Sequence, residues 1–323
     1  MKKKGLWILL IAVVLLISAV PAMADEYTTL PTATGNVIDL GGNTYTLSAQ
    51  YKQTSGSVTI KNGTITSSVT DLFEVSGGTL TLGEGLKVNC TSSGLYAHNG
   101  GIINIDGATV IGTGNDYSFA YATGSGSQIN ISSGSLVKNG SNHVTLSIDQ
   151  SASSTISGGT VSNNMSTAIV AKGSGTITVS GGTVTTTANM VAGYAVSGGK
   201  ITVSGGTVDS GNWAALSAIR FGQATGGTIE VTGGTVKKAV GAYEGSDCKV
   251  IVSGGEIGTT DSWGMYVNNG ASGTVSGGTV KGWVGAGNQS GTLKITGGVF
   301  SSDPTSYVGI VSWISVIRLI NTA

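Results

Sequence analysis

The chain carries little charge. Of its 323 residues only 10% are Asp, Glu, Lys or Arg, with 16 basic against 16 acidic. No basic stripe is present to neutralise phosphates, which argues against a nucleic-acid partner. It has three prolines, which with so few charges separates it from disordered low-complexity chains, since those are rich in both. Its two cysteines, Cys90 and Cys248, are too few for a disulfide scaffold, and its two histidines, His98 and His143, are poor material for a metal centre. There is one long apolar run, Leu6 to Val20.

That run follows Lys2, Lys3 and Lys4 and precedes Pro21 and Ala22-Met23-Ala24, a small-residue cleavage pattern. It is shorter than the roughly 20 residues a membrane helix needs, so residues 1–24 read as a signal peptide of bacterial type. The mature chain is expected to begin at Asp25 and to be secreted or displayed at the cell surface. Loss of the three lysines leaves 13 basic against 16 acidic residues, a net charge of −3.

What the chain has in abundance is glycine, 54 residues, set among Val, Ile and Thr. The segment GTITVSGGTVTTT (residues 175–187) is one instance of a unit that recurs. Taking Ser180 as its anchor, the equivalent positions are Lys61, Gly83, Asp106, Ser132, Ser157, Ser204, Thr232, Ser253, Ser276 and Thr296, at intervals of 20 to 28 residues. A repeat of that period marks a solenoid. Within each unit the alternation has period two: apolar residues stand one and three positions before the anchor, as in Ile177 and Val179, with Thr178 between them. Strands therefore form, with the aliphatic residues inward and the threonines outward.

Gly-Gly after the anchor reads as a corner, because glycine adopts backbone conformations that a side chain penalises. A second strand follows it, carrying Val161, Val184, Val208, Val236 or Val280, and a third short strand lies about ten residues before each anchor. Three strands and three turns per coil predict an all-β, single-stranded parallel β-helix of about 11 coils. The domain is expected to span residues 25–308. Residues 309–323, GIVSWISVIRLINTA, are expected to cap its last coil. They contain no Leu-Pro-x-Thr-Gly sorting motif and, interrupted by Ser315 and Arg318, are too short to cross a bilayer.

GNTYTLSAQYKQTSGSVTIKNGTI (residues 42–65) resembles the first coils of right-handed parallel β-helix proteins of the pectate-lyase-like superfamily. The VSGGTV coils and the closing ITGGVFSSDPTSYV resemble secreted, adhesin-like β-helix proteins of bacterial and archaeal surfaces. The resemblance runs over residues 36 to about 308 and implies a right-handed solenoid with an extracellular binding role. The shared residues are core and corner positions, so it is specific for fold rather than for function.

Cys90 and Cys248 lie about six coils apart, on the order of 29 Å at 4.8 Å per coil, too far for a disulfide. Enzymatic attack on a polysaccharide requires clustered carboxylates with a basic residue beside them. No carboxylates stand at matching offsets in adjacent repeats, so the expectation is a non-catalytic protein without cofactor or metal, and a polysaccharide lyase or hydrolase is the competing reading. Arg220 with Glu244, and Lys52 with Glu74, are expected as inter-coil ion pairs. T-x-T steps such as Thr79–Thr81 and Thr176–Thr178 suggest ice binding more remotely, but Lys200, Glu230, Lys249, Ile251 and Lys294 interrupt that ladder.

The strongest candidate site is aromatic. Ten residues before successive anchors stand Tyr51, Phe73, Tyr96, Tyr194, Tyr243 and Tyr266, with Tyr121 one position out of register. Their neighbours at eleven before are mostly aliphatic, so alternation turns the rings outward, where a row of them would be a platform for glycans or for extracellular or surface proteins. Trp213, Trp263 and Trp283 precede the same strand and widen the patch. The chain thus reads as an exported, adhesin-like monomer.

Overall fold

The computed structural model describes residues 27–287 and 291–301, with two further strands at Ile310–Ser312 and Ile317–Leu319. The expected signal peptide lies outside the described residues, as does much of the expected tail. The architecture is a parallel β-solenoid of about 11 turns without helix among the described residues. Each coil contributes one strand to a lateral sheet of 12 strands, then two to a sheet of 21 strands. Stacked at about 4.8 Å, the coils make a rod roughly 50 Å long.

The aliphatic column just before the anchors is continuous. Ile60, Leu82, Ile105, Ile131, Ile156, Val179, Val203, Val231, Val252, Val275 and Ile295 are successive register partners. Every one is buried, Ile295 being the most exposed at 7%. The column extends beyond both ends of the repeat as read from the sequence. Ile38 pairs with Ile60, and Asp39 takes the place of an anchor opposite Lys61. At the other end Leu319 pairs with Ile295, and Ile310–Ser312 adds a strand to the lateral sheet beside Trp283–Ala286. The coil built on Val37–Asp39 and Thr44–Leu47 escapes the sequence pattern because Leu40 separates Asp39 from Gly41-Gly42. At this end the Tyr27 ring stacks on Tyr45 at 4.8 Å.

The two glycines of the corner serve different ends. Gly182 has φ +64°, a left-handed conformation that a side chain strains. Gly181 does not, but a Cβ there would collide with the Ser157 carbonyl oxygen of the preceding coil. Gly205 and Gly206 repeat the pattern against Ser180. One glycine turns the chain and the other lets the coils stack. In Ile102–Gly112 and Gln128–Lys138 the strand runs through the corner with a register shift, so two faces merge into the 21-stranded sheet.

The strand after the corner ends on an inward polar column: Ser67, Cys90, Gly112, Lys138, Asn163, Thr186 and Ser210. Of these, Ser67, Asn163, Thr186 and Ser210 bond the backbone of the turn that follows. The Asn163 carboxamide accepts from the N–H groups of Met165 at 2.9 Å and Ser166 at 2.7 Å and donates to the His143 carbonyl at 2.8 Å. Ser210 Oγ donates to the carbonyls of Asn212 and Ala214. The Lys138 ammonium is wholly buried, donates to the Gly114 carbonyl, and lies 5.7 Å from the centroid of the Phe119 ring, which fills the space above Gly112. Burial holds its pKa below the usual lysine range.

Both cysteines are buried and unpaired. Lys52 and Glu74 form the expected ion pair, 2.7 Å apart. Arg220 differs from expectation: its guanidinium pairs with Asp247 at 2.6 Å, while the Glu244 carboxylate accepts the Phe221 N–H at 3.0 Å. Glu244 sits at φ +69° in a tight turn, and the same turn brings Asp247 round to Arg220 and to the Gly226 N–H.

Candidate functional site

Outward positions of the lateral sheet are set by parity along each strand, and a one-residue change in the following turn exchanges the faces. In the first two coils the turn from lateral strand to anchor is one residue shorter than in the coils of Tyr96, Tyr194 and Tyr266. The outward column there is Lys52 and Glu74, and it continues through Tyr96, Tyr121, Ser147, Val170, Tyr194, Ser217, Gly241, Tyr266 and Gly285.

Phe73 therefore does not belong to a surface row. It pairs with Leu95 in the inward column and is completely buried. Tyr51, its register partner, is half-buried against the core, its ring edge-on to Phe73 at 6.0 Å, with Oη donating to Gln53. Tyr121, out of register by counting, is in register in space: it faces Tyr96 with centroids 5.9 Å apart and ring planes within 4°. The aromatics form two patches rather than one row.

The larger patch lies towards the C-terminal coils. Trp213 is carried by a turn that the Ser210 hydroxyl and the Asn212 carboxamide hold, and it is 45% exposed. Trp263 and Trp283 are register partners one coil apart. Tyr266 sits among them, 6.2 Å from Trp213, 4.9 Å from Trp263 and 5.7 Å from Tyr243. Tyr243 stands two residues beyond Gly241 on the same face and folds back over it. Gly241 leaves room for the Tyr243 ring, while the rings of the patch meet one another edge-on or tilted, with planes 45° to 87° apart. Trp213, Trp263 and Tyr266 line an open cleft of about 370 Å³. The Tyr243 hydroxyl and Trp283 Nε1 are buried in the patch without a hydrogen-bond partner among the described residues, and burial pushes the Tyr243 pKa up. Tyr194 lies apart, edge-on to Phe221 at 4.9 Å.

The smaller patch surrounds Tyr96 and Tyr121. The Tyr96 ring also stacks on His98 at 4.5 Å, and His98 Nε2 lies 3.2 Å from Glu74 Oε1. The Tyr96 hydroxyl is raised above the usual tyrosine range by burial and then by the Asp71 and Glu74 carboxylates. Beside it, Thr70, Asp71, Ser93, Asp116, Tyr117, Ser118, Tyr121 and Lys172 line a second cleft, also of about 370 Å³. Sequence reasoning missed this grouping. Its charged members Asp71, Asp116 and Lys172 stand 12, 16 and 8 residues before their anchors, so no common offset marks them.

Among the described residues no three His, Cys, Asp or Glu side chains come together as metal ligands. The outward threonines before the anchors are broken by an ion pair, Lys200 to Glu230 at 2.7 Å. No family model, curated protein or solved structure matches this chain.

Proposed function

We propose that this chain is an exported, adhesin-like structural and binding protein of the pectate-lyase-like β-helix kind, non-catalytic and monomeric, which engages a glycan or a surface partner through its aromatic patch. The observation that carries this reading is the clustering of Trp213, Tyr243, Trp263, Tyr266 and Trp283 on one face of a rigid rod. Aromatic side chains are the residues that most often dominate recognition surfaces, and a cluster of exposed rings offers apolar faces and edges against which a sugar or a protein side chain can pack. A solenoid suits this task because each coil contacts only its neighbours, so outward residues vary without disturbing the core.

The test is a glycan array together with a polysaccharide panel, run on the wild type and on the Trp213→Ala/Tyr266→Ala double variant. Binding that falls about tenfold or more in the variant, with its circular dichroism unchanged, supports the assignment. Equal binding by both proteins removes it. The competing reading, a polysaccharide-active enzyme, draws on the convergence of Asp71, Asp116 and Lys172 on the second cleft. Detection of new reducing ends or unsaturated products on the same panel tests it.

A further inference from the structure

The second cleft differs chemically from the aromatic patch. Its two carboxylates are held in place by hydroxyls and, among the described residues, take part in no ion pair. Asp71 Oδ1 accepts from the Ser93 hydroxyl at 2.6 Å, and the Asp71 N–H donates back to Ser93 Oγ. Asp116 Oδ2 accepts from the Ser92 hydroxyl at 2.6 Å. The other oxygen of each carboxylate has no hydrogen-bond partner, and neither residue has a cation within ion-pair distance, among the described residues. The cleft's lysine is already engaged: Lys172 Nζ lies 3.4 Å from Asp149 Oδ2 and 5.5 Å from the centroids of both Tyr117 and Tyr121. Asp149 is fixed in turn by the Tyr121 hydroxyl at 3.1 Å. Behind the wall, the buried Lys138 ammonium points to Gly114, two residues from Asp116. Three carboxylates against two ammonium groups leave the cleft negative.

The rest of the lining suits a hydroxylated ligand. Tyr117 presents a ring that is 74% exposed. Thr70 and Ser93 add hydroxyl oxygens that can accept, their protons being committed to Ser92 and Asp71, and Ser118 Oγ is buried without a partner among the described residues. The volume, about 370 Å³, falls in the range of small-ligand sites. From these features we infer that the cleft lined by Asp71, Asp116, Tyr117, Tyr121 and Lys172 is a binding site for a saccharide bearing a protonated amine. The ammonium would lie between the two open carboxylates and the pyranose face against Tyr117. This site is separate from the Trp213–Tyr266 patch and does not depend on the role proposed for that patch.

The experiment is calorimetric titration of the folded protein with a β-1,4-linked glucosamine oligomer, its fully N-acetylated counterpart, and spermidine. The same titrations are run on Asp71→Asn, Asp116→Asn and Glu256→Gln. Asp71 has φ +52°, a conformation that asparagine tolerates, so Asp71→Asn removes charge without unfolding the turn. The expected result is that the charged oligomer binds at least tenfold more tightly than the acetylated one, with an affinity that weakens as salt is added. Each aspartate variant should lose about fivefold or more for the charged oligomer, while Glu256→Gln, which removes a carboxylate outside both clefts, keeps wild-type affinity. Equal affinity for the two oligomers, no binding at millimolar concentration, or indifference to both aspartate substitutions overturns the site. Spermidine binding as tightly as the glucosamine oligomer overturns its assignment to a saccharide.

Discussion

Tyr243 lies across Gly241: a Cβ on that glycine would fall 2.6 Å from the ring's Cε2 and 2.7 Å from its Oη. The ring occupies the space a side chain would take, and Trp213 meets it edge-on at 6.4 Å. Gly241→Val should therefore evict the ring and leave the strand intact, since valine is at home in a sheet. The expected outcome is a loss of near-ultraviolet circular dichroism from the coupled aromatics with an unchanged far-ultraviolet spectrum. Loss of both signals would mean that Gly241 is needed for the coil itself.

Phe73 and Tyr96 share an offset from their anchors but stand on opposite faces, and their truncations should separate widely. Phe73→Ala empties a fully buried site and should cost about 3–5 kcal/mol. Tyr96→Ala removes stacking with Tyr121 and His98 and should cost about 1 kcal/mol. Denaturant unfolding of the two variants measures the difference, and similar losses would contradict the register.

Asn163 holds the turn after its strand. Asn163→Ala strands the Met165 and Ser166 N–H groups and the His143 carbonyl, at about 1–3 kcal/mol for each buried group left unsatisfied. Amide hydrogen exchange should rise first at residues 163–167 and in the adjacent coils, with distant coils protected as before, because coupling in a solenoid is to nearest neighbours.

Burial raises the Cys90 thiol from an ordinary 9.0 to about 12. Between those values the unfolded chain has lost this proton and the folded chain keeps it. The contribution to stability is thus complete below about pH 9 and is lost as pH rises through about 12. Cys90→Ala should flatten the alkaline limb of the stability profile relative to wild type. In the native wild type, alkylation at neutral pH should label neither cysteine until denaturant is added.

The repeat, its strands and the inward aliphatic column were legible in the sequence because they rest on a local rule. Alternation of period two and Gly-Gly corners are written into each coil, and stacking multiplies a signal that one copy would leave ambiguous. The coil at Val37–Asp39 was not legible, since one inserted residue, Leu40, moves its glycines out of the pattern.

The faces of the lateral strands belonged to the tertiary structure. Ring direction depends on turn length, and only stacking shows that Tyr51 and Phe73 face the core while Tyr121 aligns with Tyr96. Offsets from an anchor count residues along the chain, whereas neighbours across coils are set by hydrogen-bond register. The cleft of Asp71, Asp116, Tyr117 and Lys172 is the extreme case: its residues come from three coils with no common spacing. Local pattern determined the solenoid; the turns, whose lengths vary while the ladders stay in register, decided which side chains meet on its surface.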